Sequence, residues 1–234
     1  MSRILWLFLA LVGLLLVACG SDGDESATEG GIDGLAGQAP PVATATPTAT
    51  AQAPVADLSD RLDEMVLGAE DVPRGLSSLG SMTFDYDANL LGVVGPQGGK
   101  AHMTMFAGPG QQEMVVSMVI VLDDAWAVEQ ALAQMDSLTV DQIQDAFGMG
   151  GNFGSLKLLD SRQLDVSGLG EAAFGFALTV ELPQLGVGDG QWVFFGRDSL
   201  LAMTMTMAMG GGAPADAVLL AELMDAKIEG VLLQ

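Results

Sequence analysis

The chain has 234 residues, enough for one or two domains, and half of it is apolar. Asp and Glu number 30 against 8 Lys and Arg, a formal net charge of −22 that repels phosphate backbones and argues against nucleic acid as a partner. With one cysteine and one histidine, an intramolecular disulfide is excluded, and a Cys/His zinc site, which takes about four ligands, has at most two candidates.

Residues 1–18, MSRILWLFLALVGLLLVA, join a basic start at Arg3 to an almost unbroken apolar run over 4–17. The run is shorter than the roughly 20 residues that span a bilayer comfortably. A short basic start, an apolar core and small residues at the end are the marks of a secretory signal. The end reads Leu16-Val17-Ala18-Cys19. These four residues resemble the bacterial lipobox, Leu-x-[Ala/Ser/Gly]-Cys, and match it at every informative position. The resemblance implies that the Cys19 thiol receives a diacylglyceryl group, that signal peptidase II cuts between Ala18 and Cys19, and that the new amino terminus is open to acylation. Two or more acyl chains, palmitate among them, hold a protein stably where one holds it marginally. The expected location is therefore the cell membrane, by a lipid anchor, on the extracytoplasmic side. A lipidated Cys19 is a thioether and can serve neither as nucleophile nor as redox partner.

Over 19–56 the composition shifts to Gly, Ala, Thr, Pro, Ser and acids, with the low-complexity run PPVATATPTATAQAP. Such a stretch cannot bury enough surface to offset its ordering entropy, so it reads as a disordered tether behind the lipidated Cys19. By the flexible-chain rule its reach is on the order of 30–40 Å. Residues 57–234 then read as one globular domain, long enough for a core of its own.

Along that domain the spacing predicts strands over 81–87, 100–106 and 113–122 and a helix over 124–135. A second run follows, with strands over 172–182, 191–196 and 200–209 and a helix over 215–228. Asp123 or Asp124 caps the first helix, with Val128, Leu132 and Met135 at helical spacing on one side. Thr139 and Gln142 form a capping-box signature for a shorter helix over 140–147. Pro214 sits at the start of the last helix, Leu219, Leu223 and Ala226 line one side of it, and Gly230 ends it. Strands followed by helices, twice over, predict an α+β fold: an antiparallel sheet with helices packed on one face, built from two β-β-β-α pseudo-repeats. With that pattern the domain resembles the helix-on-sheet domains of small bacterial lipoproteins, including those with PsbP- or Mog1-like folds.

Four features carry possible chemistry. The run Met203-Thr204-Met205-Thr206-Met207-Ala208-Met209, echoed by Met103-Thr104-Met105, is rich in thioethers, which bind Cu(I). On one strand, however, alternate methionines stand about 6.8 Å apart, so an ion would need ligands from neighbouring strands. Packing beneath the helices is the better reading, because an unbranched thioether fills irregular gaps. Thr204, Thr206 and Ala208 then face the other side, which is either solvated or closely covered. Asp85-Tyr86-Asp87-Ala88-Asn89 resembles the start of an EF-hand loop, but Leu90 stands where glycine is needed and Pro96 where a bidentate Glu belongs. His102, the only imidazole, lies opposite Met103 and Met105, with no Gly-x-Ser-x-Gly elbow in the chain, and is expected to face solvent or make one structural hydrogen bond. The glycines of 148–154 and 210–212 lack the Lys-Ser/Thr of a phosphate loop and read as turns.

No catalytic residue, no metal ligand and no cofactor follows from these motifs. The expected function is that of a membrane-anchored extracytoplasmic lipoprotein whose domain binds a protein partner or small ligand without catalysis. The alternatives are an envelope hydrolase using carboxylates, since acids are plentiful, and a methionine-based copper-handling protein.

Overall fold

The structure, a computed structural model, describes residues 58–86, 99–137, 157–182 and 186–234. The expected signal and tether, the helix over 140–147, the glycines of 148–154 and most of the EF-hand-like stretch lie outside the described residues.

Seven strands form one sheet: β1 (Ser77–Tyr86), β2 (Gly99–Ala107), β3 (Glu113–Val121), β4 (Lys157–Gln163), β5 (Ala172–Leu182), β6 (Gly186–Arg197) and β7 (Leu200–Met209). Their order is β1-β2-β3-β7-β6-β5-β4, and every pairing is antiparallel. Among the described residues three α-helices accompany them: α1 (Leu62–Met65), α2 (Ala125–Asp136) and α3 (Ala217–Leu232). The class is α+β, as expected.

The helices do not share one face. Ala127, Val128, Ala131 and Leu132 of α2 pack with Met203, Met205, Phe174 and Phe194 on one side of the sheet. On the other side, Ala217, Leu220, Ala221, Met224 and Ile228 of α3, with Leu62 and Met65 of α1, pack on Val115, Val119, Val193, Phe195 and Ala202. The central strands explain the arrangement. β3 reads EMVVSMVIV and is buried at every position after Glu113, and β7 is buried at every position before Met209. A strand apolar on both sides must be covered from both, at about 25 cal/mol for each Å² of apolar surface kept from water.

Strand order is symmetric about the β3–β7 pair, with β2 and β6 flanking it and β1 and β5 outside them. The two long helices depart from that symmetry, since they lie on opposite faces. The pseudo-repeat therefore describes the order of strands and not a β-β-β-α unit used twice. β4, an edge strand of sequence KLLDSRQ, has no counterpart in the first half and no clear alternation that would announce it.

Local chemistry sets the helices. Asp124 caps α2 by accepting a hydrogen bond from the Ala127 N–H at 2.8 Å. Gly196 on β6 lets α2 settle on the sheet, because a Cβ there would lie 2.4 Å from Val128 Cγ1. Asp216 caps α3, accepting from the N–H groups of Val218 and Leu219. The helix thus begins after Pro214 rather than on it, and it runs past Gly230 to Leu232. Gly210 and Gly211, at φ of +72° and +82°, make the turn that leaves β7, as expected of that glycine cluster.

Candidate functional site

Cross-strand register turns the methionine strand into a surface of thioethers. Met82, Met103, Met118 and Met203 are successive partners across β1, β2, β3 and β7, and Phe194 and Phe174 carry the row on across β6 and β5. The next row holds Met105, Val116, Met205, Trp192 and Phe176. A third places Met114 opposite Met207. Directly opposed residues of an antiparallel pair have Cβ atoms about 4.5–5.5 Å apart, closer than successive same-face residues of one strand. Neighbouring strands therefore bring together the thioethers that one strand holds apart. From Met103 to Met207 the seven methionines of these rows on β2, β3 and β7 are only 1% to 5% exposed. Beside them the Phe176 and Trp192 rings meet edge to face at 5.1 Å.

The opposite side of β7 is closely covered. Thr204 and Thr206 are fully buried, and Thr204 Oγ1 donates to the Ala217 carbonyl at 2.9 Å, fastening the first turn of α3 to the sheet. Thr206 Oγ1, equally buried, has no hydrogen-bond partner among the described residues. Ser117, opposite Thr204 on β3, accepts from the Leu67 N–H at 3.1 Å. Thr104 on β2 donates to the Leu67 carbonyl at 3.1 Å, and the two hydroxyls meet at 2.8 Å. Both backbone groups of Leu67 are thereby satisfied in the core, where an unpaired one would cost about 1–3 kcal/mol.

His102 is buried on this same side, away from Met103 and Met105, and its Nδ1 lies 2.7 Å from Thr83 Oγ1 on β1. Of the two expectations, facing solvent or making one structural hydrogen bond, it meets the second. Asp85 of the EF-hand-like stretch stands on β1 opposite Lys100. Among the described residues no group of three or more His, Cys, Asp or Glu is placed to hold a metal ion. No helix among them is long and apolar enough to cross a membrane.

A two-point ion pair was not foreseen. Arg197, the last residue of β6, meets Asp225 of α3 at two points, Nε to Oδ1 at 2.7 Å and Nη2 to Oδ2 at 2.8 Å. The Gly170 N–H adds a third hydrogen bond to Asp225 Oδ2 at 3.2 Å. Burial pushes the Asp225 carboxyl up, but these hydrogen bonds and the Arg197 charge outweigh it and hold the carboxyl below its usual 3.8. The sequence signal was an acid in the middle of an otherwise apolar helical face, which needs a cation opposite it.

A second unforeseen feature is the outward side of α3. Leu219, Leu223 and Ala226, expected to line one side of the helix, do so on its exposed side, the two leucines at 53% and 45%. Ala217, Leu220, Ala221, Met224 and Ile228 take the inward side instead. Small Ala217 and Ala221 allow close approach to the sheet, and the inward face also carries Asp225 to Arg197. Trp126 of α2 is likewise exposed, at 59%, on the far side of the domain.

No protein family matches the chain in sequence, and no curated protein does so either. Two solved structures are similar to it. One is the extracellular domain of PknH from Mycobacterium tuberculosis, at a TM-score of 0.46 and 10% identity over 75% of this chain and 96% of that one. The other is an uncharacterised protein of Mycobacterium smegmatis, the Rv0999 ortholog, at a TM-score of 0.40 and 12% identity over 77% of this chain and 98% of that one. Neither likeness bears on what this chain binds or where it resides.

Proposed function

We propose that this chain is an extracytoplasmic lipoprotein, held to the cell membrane through lipidated Cys19, whose domain over 57–234 binds a protein partner or small ligand without catalysing a reaction. The observation that carries the reading is Leu16-Val17-Ala18-Cys19, a complete lipobox that uses the chain's single cysteine. The reading without catalysis is supported by how the domain employs its polar groups. His102 is bonded to Thr83, Arg197 to Asp225, and Thr104 and Ser117 to Leu67, each joining one element of the fold to another. Cells fed an alkyne-tagged fatty acid provide the test: label enters the wild-type protein, and Cys19→Ala yields an unlabelled precursor uncut at Ala18. Label in the Cys19→Ala variant overturns the anchor.

One observation favours a second reading, methionine-based copper handling. The register places Met103, Met118 and Met203 side by side on three strands, which supplies the neighbours from different strands that a thioether site requires. Titration of the protein with Cu(I) distinguishes the two. Stoichiometric binding lost in Met118→Leu supports copper, and its absence leaves the row as core.

A further inference from the structure

Helix α3 is apolar on two opposite sides. The inner side, from Ala217 to Val231, is buried against the sheet. On the outer side, Leu219, Leu223, Ala226, Gly230 and Leu233 all lie exposed. At 3.6 residues per turn these five fall within about 40° of one line, and Leu233, the C-cap, keeps helical φ and ψ and extends that line. Bulky Leu219 and Leu223 stand at one end, and small Ala226 and Gly230 separate them from Leu233. Residues spaced i, i+4, i+7, i+11, i+14 repeat as the seam of a two-helix contact repeats. A stripe of this kind on the outside of a core helix is a feature of interaction surfaces.

Charge selects the occupant. Glu222 and Glu229 are exposed along one flank of the stripe. Among the described residues, the three cations that reach α3 are each engaged in ion pairs: Lys227 with Asp71 at 2.5 Å, Arg197 with Asp225 at 2.7 Å, and Arg61 with Glu64 at 2.8 Å. Among the described residues, the rim therefore presents carboxylates without free cations of its own. A second copy of the chain would bring the same acids to the contact, at a net charge of −22 on each copy. An anionic lipid surface would be repelled in the same way.

Resting on the reading of this domain as a binding module, we infer that the outer stripe of α3 docks an amphipathic helix of a protein partner, one whose apolar edge is flanked by Lys or Arg. Leu219 and Leu223 supply the apolar anchors, Ala226 and Gly230 accept the partner's larger side chains, and Glu222 and Glu229 pair with its cations.

The test uses the full-length protein in detergent and a synthetic helix of about 20 residues, with leucine at heptad positions a and d and lysine at e and g. A scrambled peptide of equal composition controls for general attraction to an acidic chain. Fluorescence anisotropy is expected to show the patterned peptide binding at least about tenfold tighter than the scrambled one. Leu219→Ser with Leu223→Ser removes that difference, and Glu222→Gln with Glu229→Gln flattens the salt dependence. Equal binding of the two peptides, or unchanged binding to the serine variant, overturns the inference. In native cells a photo-crosslinking residue is placed at Leu223 or at Trp126. An adduct at position 223 that maps to a basic-flanked amphipathic helix supports the inference. A dimer of the chain itself, or an adduct at position 126 alone, overturns the α3 surface and leaves the binding-module reading standing. No adduct at either position counts against both.

Discussion

Arg197 and Asp225 form a two-point ion pair that ties the end of β6 to the middle of α3, at 2.7 and 2.8 Å. The planar guanidinium fork matches the carboxylate, and the Asp225 side chain is 12% exposed, so the contact is only lightly screened. Asp225→Asn is expected to cost about 1.5–3 kcal/mol, the range for hydrogen bonds to charged groups, in urea unfolding at neutral pH. The sign of the pH effect follows from the lowered Asp225 pKa. A carboxyl held below its unfolded value of 3.8 contributes its stability above that value and loses it as pH falls through the native one. The difference between wild type and Asp225→Asn should therefore be full at pH 7 and shrink below about pH 4. A difference that stays constant into that range would mean that the ion pair is not what the substitution removes.

The two buried threonines of β7 should respond in opposite ways. Thr204→Val removes the hydrogen bond to the Ala217 carbonyl and is expected to destabilise by about 1–2 kcal/mol. Thr206→Val replaces a buried hydroxyl that has no partner among the described residues with a methyl of the same shape. It should leave stability unchanged or raise it by up to about 1 kcal/mol. Thermal melts of the two single variants check this, and a larger loss for Thr206→Val would show that its hydroxyl is bonded.

The methionine rows give a substitution series. If Met203, Met205 and Met207 are core, each change to alanine costs roughly 2–5 kcal/mol, and each change to leucine costs less than about 1.5 kcal/mol. A copper site predicts another pattern, in which leucine abolishes Cu(I) binding as fully as alanine while the metal-free protein changes little. Melts with and without Cu(I) separate the two.

Much of the fold is legible in the chain. The alternation of Met203, Met205 and Met207 with Thr204 and Thr206 marks β7 from end to end, and Asp124 marks the start of α2. The two-sided cover was legible as well, in β3 from Met114 to Val121, where Ser117 alone interrupts the apolar run. Strands followed by a helix, twice over, argued for helices on one face, and that expectation was wrong. Other features have no local signal. α3 carries leucines on both sides, so periodicity alone does not choose between Leu219 with Leu223 and Leu220 with Met224. The choice is tertiary, made by close approach at Ala217 and Ala221 and by Asp225 reaching Arg197. β4, with Lys157, Asp160 and Arg162 in seven residues, is held by pairing with β5 rather than by any pattern of its own. For the candidate site, the sequence supplied the methionines but not their register. Met103, Met118 and Met203 are 15 and 85 residues apart along the chain, and only the pairing of strands makes them neighbours.

The most direct test of the account is the mass of the mature protein's amino-terminal peptide, taken from membranes of cells that express the full chain. The account predicts a peptide that begins at Cys19 and carries a diacylglyceryl thioether, and, when Cys19 is alanine, only the unlipidated precursor with residues 1–18 still attached. A mature peptide that retains Ala18, or an unmodified Cys19 thiol, would contradict it.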